Sequence, residues 1–208
     1  MNWNNEATTA LHEERLEAVV DAVRASDART LLDLGCGDGD LLVRLAGEPR
    51  IERILGLDID RQCLQQVRLR LDAEGFSRTA ATIELRHGSL TDPDPSLTGF
   101  HCALLVETIE HIDPRDLAQV ERAIFARMHP RTVIITTPNA EYNPLLEVPP
   151  NRLRHPDHRF EWDRARFQRW ARGVAQRHLY RVRHRDVGGV HPIYGGATQI
   201  ALFQLIEA

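Results

Sequence analysis

The chain contains no lysine; each of its 26 basic residues is an arginine. A coding bias accounts for that replacement, but not for how the charge is distributed. Eleven arginines fall between residues 151 and 185, where Asp157, Glu161 and Asp163 are the only acids, although the whole chain carries −4. A basic segment on an acidic body points to a local site for an anion such as nucleic acid. Long apolar runs are also missing. None approaches the roughly 20 residues that a bilayer-spanning helix needs, so no membrane partner is expected. The first residues, MNWNNEATTALHEERLE, place acids where a secretory leader has a basic region and an apolar core. A cytoplasmic location is therefore expected. The three cysteines, Cys36, Cys63 and Cys102, are odd in number and widely spaced, which argues against a disulfide framework and a zinc knuckle. With 208 residues and 42% hydrophobic content, residues 1–208 suit one domain with a full core.

What is present alternates. Leu11, Leu16, Val19, Val20 and Val23 recur at helical spacing and predict a helix over Ala10–Ala25. Strands are expected at Thr30–Leu34, Arg53–Leu57, Thr82–Arg86, His101–Val106 and Thr132–Thr136. Helices are expected at Asp40–Ala46 and Arg61–Ala73, and again from Asp113 to about Met128, with Asp113 as N-cap and Pro114 in the first turn. A proline-rich loop over 144–156 leads to a helix, Arg164–Leu179, and two last strands, Tyr180–Asp186 and Thr198–Ile206. This order predicts an α/β domain with a mainly parallel sheet, and ligands bound beyond the carboxyl ends of its strands.

Two strand ends carry chemistry. The first strand runs into Asp33-Leu-Gly-Cys-Gly-Asp-Gly39, and Asp58 follows the second strand. Glycines allow a tight turn and close approach of a ligand to the backbone, and the second acid can hold ribose hydroxyls, so a nucleoside-containing cofactor is expected. A dinucleotide shares those needs, but position 40 is Asp rather than Gly. Asp38 and Asp40 put negative charge where a pyrophosphate would sit, which favours a cationic ligand without phosphate. The fourth strand ends in Glu107-Thr-Ile-Glu-His111. If that stretch is helical, Glu107 lies one turn from Glu110 and His111, and all three can reach one metal ion. A distant pair, His155 and His158, can close such a site. Since Asp113 starts a helix of its own, Glu107–His111 can equally be a separate turn.

The glycine turn resembles the first motif of class I S-adenosylmethionine-dependent methyltransferases. Three further stretches resemble the Hen family of RNA 3′-terminal 2′-O-methyltransferases, in its bacterial catalytic domain: Leu11-His-Glu-Glu-Arg-Leu-Glu-Ala-Val-Val20, Thr137-Pro-Asn-Ala-Glu-Tyr-Asn143 and Arg154-His-Pro-Asp-His-Arg-Phe-Glu-Trp162. That resemblance implies a Rossmann-like class I methyltransferase fold with a seven-stranded sheet and helices on both faces. It implies S-adenosylmethionine as cofactor, with Asp33, Gly35 and Gly37 at the methionine end, Asp58 at the ribose beside Ile59, and Ser89 and Leu90 near the adenine. It implies a divalent metal, manganese or magnesium, on Glu107, Glu110, His111 and His158, with His155 nearby touching the metal's surroundings or RNA. The general base falls to His111, His155 or a hydroxide. The partners implied are an RNA 3′ end, single-stranded or overhanging, and an RNA-repair protein. Arg154 and Arg159 are candidates for phosphate, and Tyr142, Phe160 and Trp162 for base stacking or core packing. The other chemistry that suits these motifs is metal-assisted O-methylation of a small catechol- or quinol-like molecule.

Overall fold

Seven strands share one sheet in the computed structural model of the protein, which describes residues 5–76, 81–92 and 95–206. In chain order the elements are α1 (Asn5–Ala25), β1 (Thr30–Leu34), α2 (Asp40–Ala46), β2 (Arg53–Asp58), α3 (Arg61–Ala73), β3 (Thr82–His87), β4 (Cys102–Val106), α4 (Leu117–Glu121), β5 (Thr132–Pro138), α5 (Arg164–His178), β6 (Tyr180–Val187) and β7 (Thr198–Leu205). The strand order is β3-β2-β1-β4-β5-β7-β6. Strands β1 to β5 are parallel, and β7 runs antiparallel to both β5 and β6.

The central strands are apolar on both sides because helices cover both sides. Leu32, Leu34, Leu55, Ala103, Leu105, Val133 and Ile135 pack towards α4 and α5. Their neighbours Leu31, Ile54, Leu104 and Ile134 pack towards α1, α2 and α3. Each such leucine, isoleucine or valine stabilises the fold by about 1.5–3 kcal/mol when fully buried. The chain leaves β1 for β2 on one side and returns to β4 on the other, so the β1 and β4 ends flank the topological switch point. That is where an open α/β sheet leaves a crevice for ligands.

Strand β1 and helices α2 and α3 have the expected bounds; the departures are local. Asp113 does not cap a helix. Its side chain accepts from the Arg115 N–H at 3.0 Å and its carbonyl from the Asp116 N–H at 2.8 Å, which closes a separate turn and delays α4 to Leu117. After Glu121 the helix widens into π-type turns over Arg122–Met128 and stops at His129, where φ is +48°. Leu179, with φ +61°, lies outside α5 rather than in it. Glu107–His111 is not one helical stretch either. Glu107 takes a left-handed φ of +50°, and only Ile109–His111 form a single 3₁₀ turn. The β4 chain has to swing sharply off the sheet, and the side-chain spacing of a regular helix is lost.

Candidate active site

At the end of β1 the glycine turn is tied to its neighbours by backbone groups. Gly35 N–H donates to the Leu57 carbonyl at 2.7 Å, and Gly37 N–H donates to Asp58 Oδ2 at 2.8 Å. Asp58 Oδ1 accepts from Asp60 N–H at 2.9 Å, so this carboxylate positions both the turn and the start of α3. Gly35 has φ +84°, and a Cβ there would lie 2.6 Å from Thr108 Cγ2. Gly37 has φ +52°, and a Cβ there would meet nothing within 4 Å, which leaves room over the turn. Asp33 is only 2% exposed, and its Oδ2 has no partner. Burial, reinforced by the Asp58 and Asp38 carboxylates, pushes its pKa up to about 7. An unpartnered buried carboxyl beside an open glycine turn fits the cationic amino-acid end of S-adenosylmethionine. Asp40 is not free to do the same: Arg70 and His12 (3.1 Å) hold it. Of the two acids read as repelling a pyrophosphate, Asp40 is paired in this way, and Asp38 has no such pair among the described residues. Ile59 is 72% exposed beside Asp58. Beyond β3, Ser89 Oγ lies 2.8 Å from Thr91 Oγ1, and Leu90 packs against the core.

Beyond β4 the two glutamates are held by consecutive residues of β5. Thr136 Oγ1 accepts from the Glu107 N–H at 3.0 Å and donates to Glu107 Oε1 at 2.8 Å. Thr137 Oγ1 donates to Glu110 Oε2 at 3.0 Å. Glu107 Oε2 pairs with Arg15 of α1 at 3.1 Å. Glu110 is fully buried, and its Oε1 has no partner. Burial and the Glu107 carboxylate push its pKa well above the ordinary range. Above these acids stand three imidazoles. His111, His155 and His158 each offer a nitrogen, and the three atoms lie within 4.8 Å of one another. Desolvation, with His158 and His155 beside it, holds the His111 pKa below its usual value, although the residue is exposed. A neutral imidazole is the ligand form. His158 Nδ1 lies 2.6 Å from Glu161 Oε1, leaving Nε2 available. Burial alone would raise the Glu161 pKa, but hydrogen bonds from His158, Asn143 and the Arg154 backbone bring it down. An ionised Glu161 thus holds His158. The three imidazoles make a donor set suited to a divalent cation, while the glutamate oxygens stand outside that group, Glu107 held by Thr136 and Arg15 and Glu110 buried. Glu107, His111, His155 and His158 all line one cleft of about 660 Å³, and Arg15 and His12 of α1 line it too.

Residues 31–131 match the family described as "Methyltransferase domain". The protein described as Small RNA 2′-O-methyltransferase of Gallus gallus is 38% identical over 205 residues, covering 94% of this chain and 54% of that protein. A solved structure described as the methyltransferase domain of bacterial CtHen1 is 35% identical with a TM-score of 0.83, covering 94% of this chain and all of that one. The chain belongs to the Hen1 methyltransferase family. A structure described as small RNA methyltransferase HEN1 is 32% identical with a TM-score of 0.87, and the match covers 95% of this chain and 26% of that one. The chain spans about half the length of the first curated relatives it matches.

Within the Hen1 frame the site residues read from the sequence fall into three groups. Asp33, Gly35, Gly37 and Asp58 meet at one turn. Ser89 and Leu90 lie beyond the neighbouring β3, and Ile59 beside Asp58. Glu107 joins His111, His155 and His158 around the cleft, while Glu110 lies buried beside Glu107. His155, read as the outer histidine, belongs to the same cluster, although its ring centre lies 5.9 Å from that of His111 against 4.8 Å for His158. Four residues that hold the site escaped the sequence reading: Thr136, Thr137, Glu161 and Arg15. Each stood inside or beside a quoted motif, but nothing in the order of residues shows which atoms will meet. Arg154 was read as a phosphate ligand, and its guanidinium is engaged within the protein instead. It donates to Asn143 Oδ1 at 2.6 Å, to the Ala197 carbonyl at 2.8 Å and to the Asn139 carbonyl. Tyr142, Phe160 and Trp162 are at most 8% exposed. The Phe160 and Trp162 rings stack at 4.3 Å, and Tyr142 OH donates to the Gly189 carbonyl at 2.9 Å, so these aromatics serve the core rather than RNA bases.

Proposed function

We propose that this chain transfers the methyl group of S-adenosylmethionine to the 2′-hydroxyl of the 3′-terminal ribose of RNA, and that the transfer depends on manganese or magnesium. The observation that carries the reading is the contact between the two strand-end turns. The glycine turn for the donor and the Glu-His turn for the acceptor touch at Gly35 and Thr108, so both would face one crevice. RNA is favoured over a small catechol-like acceptor by the curated relatives, which are described as small RNA 2′-O-methyltransferases, and by the basic segment over 151–185.

In this reading Glu107, Glu110, His111 and His158 hold the cation. When bound, a divalent ion lowers the pKa of a ribose hydroxyl and orients it. The chain's own part is positioning. Asp33 takes the amino group of the cofactor. Asp58 keeps the glycine turn closed while its remaining lone pairs face the ribose. Thr136 and Thr137 aim the glutamates, and Glu161 fixes the ring of His158. With His111 committed to the cation, His155 or a hydroxide takes the hydroxyl proton. The proposal treats residues 1–208 as one methyltransferase domain acting in the cytoplasm, on a single-stranded or overhanging RNA end, alongside an RNA-repair protein.

The test is methyl transfer from labelled S-adenosylmethionine to a short RNA with manganese present, against the same RNA ending in 2′-deoxyribose. Label on the first alone, lost on chelation, is the expected result. Equal labelling of both would move the acceptor to a base or an internal ribose. Labelling of neither, with label on a catechol, would replace the proposal by the small-molecule reading.

A further inference from the structure

The basic segment divides in the structure. Part of its charge is matched internally: Arg164 pairs with Glu141 and Asp186, Arg177 pairs with Glu121, and Arg154 ties the β5–α5 connection to the β6–β7 connection. Arg181, Arg183 and Arg185 have no acidic partner among the described residues. They alternate along β6, the strand at one edge of the sheet, and are exposed where Val182 and His184 between them are half-buried. Alternation puts the three on one face. It is the face of α1, because Val187, in phase with them, packs in the α1 cluster while Val182 packs in the other.

On that face the sheet is open between α1 and the edge. Arg181, Arg183 and Arg185, with Leu202 and Gln204 of β7, form the floor of a groove of about 710 Å³. The end of α1 forms one wall, and Arg131, just before β5, joins at the base. Asp21 is the one acid among the lining residues, and it is already paired with Arg24 at 3.0 Å. Since β6 and β5 both run antiparallel to β7, β6 points towards the rim that carries the cleft. Arg185 lies two residues short of Val187 at that end of the strand. Successive arginines on one face of a strand are about 6.8 Å apart.

We propose that this groove binds the phosphate backbone of the RNA upstream of the 3′ end held in the cleft. The inference rests on the RNA reading above and adds a second contact surface to it. Regularly spaced guanidinium groups without carboxylate partners fit a regular polyanion, and arginine pairs well with phosphate oxygens. Charge on an edge strand also blocks strand-to-strand association, but that role needs neither a groove nor a fourth arginine from outside the strand.

The experiment compares the unsubstituted protein with the triple variants Arg181→Gln/Arg183→Gln/Arg185→Gln and Arg181→Lys/Arg183→Lys/Arg185→Lys, each checked for native circular dichroism. Binding of an RNA duplex with a 3′ overhang is followed by fluorescence anisotropy across a salt series, and methylation is followed on a trinucleotide that ends inside the cleft. In the glutamine variant the duplex should bind at least about tenfold more weakly, and the slope of log affinity against log salt should fall by about two to three. The lysine variant should keep most of both, and trinucleotide methylation should be unchanged in all three proteins. Unchanged duplex affinity and salt slope in the glutamine variant overturn the proposal. So does an equal loss on the trinucleotide, or binding of polyglutamate with no arginine-dependent binding of RNA, which would make the groove a protein-docking face. If no protein methylates the trinucleotide while duplex binding still follows the arginines, the groove stands and the activity reading falls.

Discussion

Nδ1 of His158 lies 2.6 Å from Oε1 of Glu161, and the Glu161 carboxylate is almost completely buried while it makes that contact. The ring nitrogen left over is therefore Nε2. Glu161 also accepts from Asn143 and from the Arg154 backbone, so the glutamate is itself fixed before it fixes the histidine.

Glu161→Ala should lower manganese affinity by about 10- to 100-fold, the usual cost of losing the partner of a metal-bound histidine. Isothermal titration measures it, and the affinity for S-adenosylmethionine serves as control. Glu161→Gln, which can still accept at Oε1, should fall between the two. Unchanged manganese affinity in the alanine variant would show that His158 needs no such support, or is no ligand.

Asp33 has a signature in pH. Its folded pKa of about 7 lies above the ordinary aspartate value of 3.8, because burial and two nearby carboxylates favour the neutral form. Between those values the folded state binds more protons than the unfolded state, so stability falls as pH rises. The contribution is fully present below the lower value and is lost by the time pH passes the upper one. Thermal melts of the ligand-free protein should therefore show Asp33→Asn gaining on the unsubstituted chain from about pH 4 to about pH 7, with a constant difference above. Glu110 shifts in the same direction, but it is common to both proteins and cancels. A difference that stays flat through the window would remove the raised pKa.

Gly35→Ala combines two penalties. The residue has φ +84°, and the added methyl would lie 2.6 Å from Thr108 Cγ2 and 2.8 Å from Thr108 Oγ1. We expect a loss of about 2–4 kcal/mol in urea unfolding, from left-handed strain plus overpacking. Adding Thr108→Gly should return the overpacking part and leave the strain. Equal stability of the single and double variants would mean that the two turns do not touch in solution.

The sheet was legible because its strands are short apolar runs with glycines or acids at their ends. Thr30–Leu34 and the helices Asp40–Ala46 and Arg61–Ala73 have the bounds read from periodicity. What failed was chain geometry after β4. The sequence Asp113-Pro114 has the chemistry of a helix start, yet the same aspartate can close a turn on Arg115 and Asp116, and residue order does not choose between them. Glu107 has no glycine or asparagine signal to mark its left-handed backbone. The cofactor turn could be read locally, since its spacing is local. The links from Thr136, Thr137 and Arg15 to the glutamates cross between elements far apart in the chain, and only folding reveals them. Arginine content pointed to a polyanion, but it could not separate Arg154, which braces loops, from the unpaired arginines of β6.

Thr136 and Thr137 are neighbours on a pleated strand, so their side chains leave on opposite sides, and each takes one glutamate. The distance between the two carboxylates is thereby written into the pleat of β5, not into the loop that carries them. A graft of Glu107–His111 onto a relative would carry the donors but not their gauge. A one-residue slip of β5 against β4 would set Ile135 or Pro138 where one of the two threonines belongs, and one glutamate would lose its grip. The placing of both carboxylates is inherited through the register of a strand that carries neither of them.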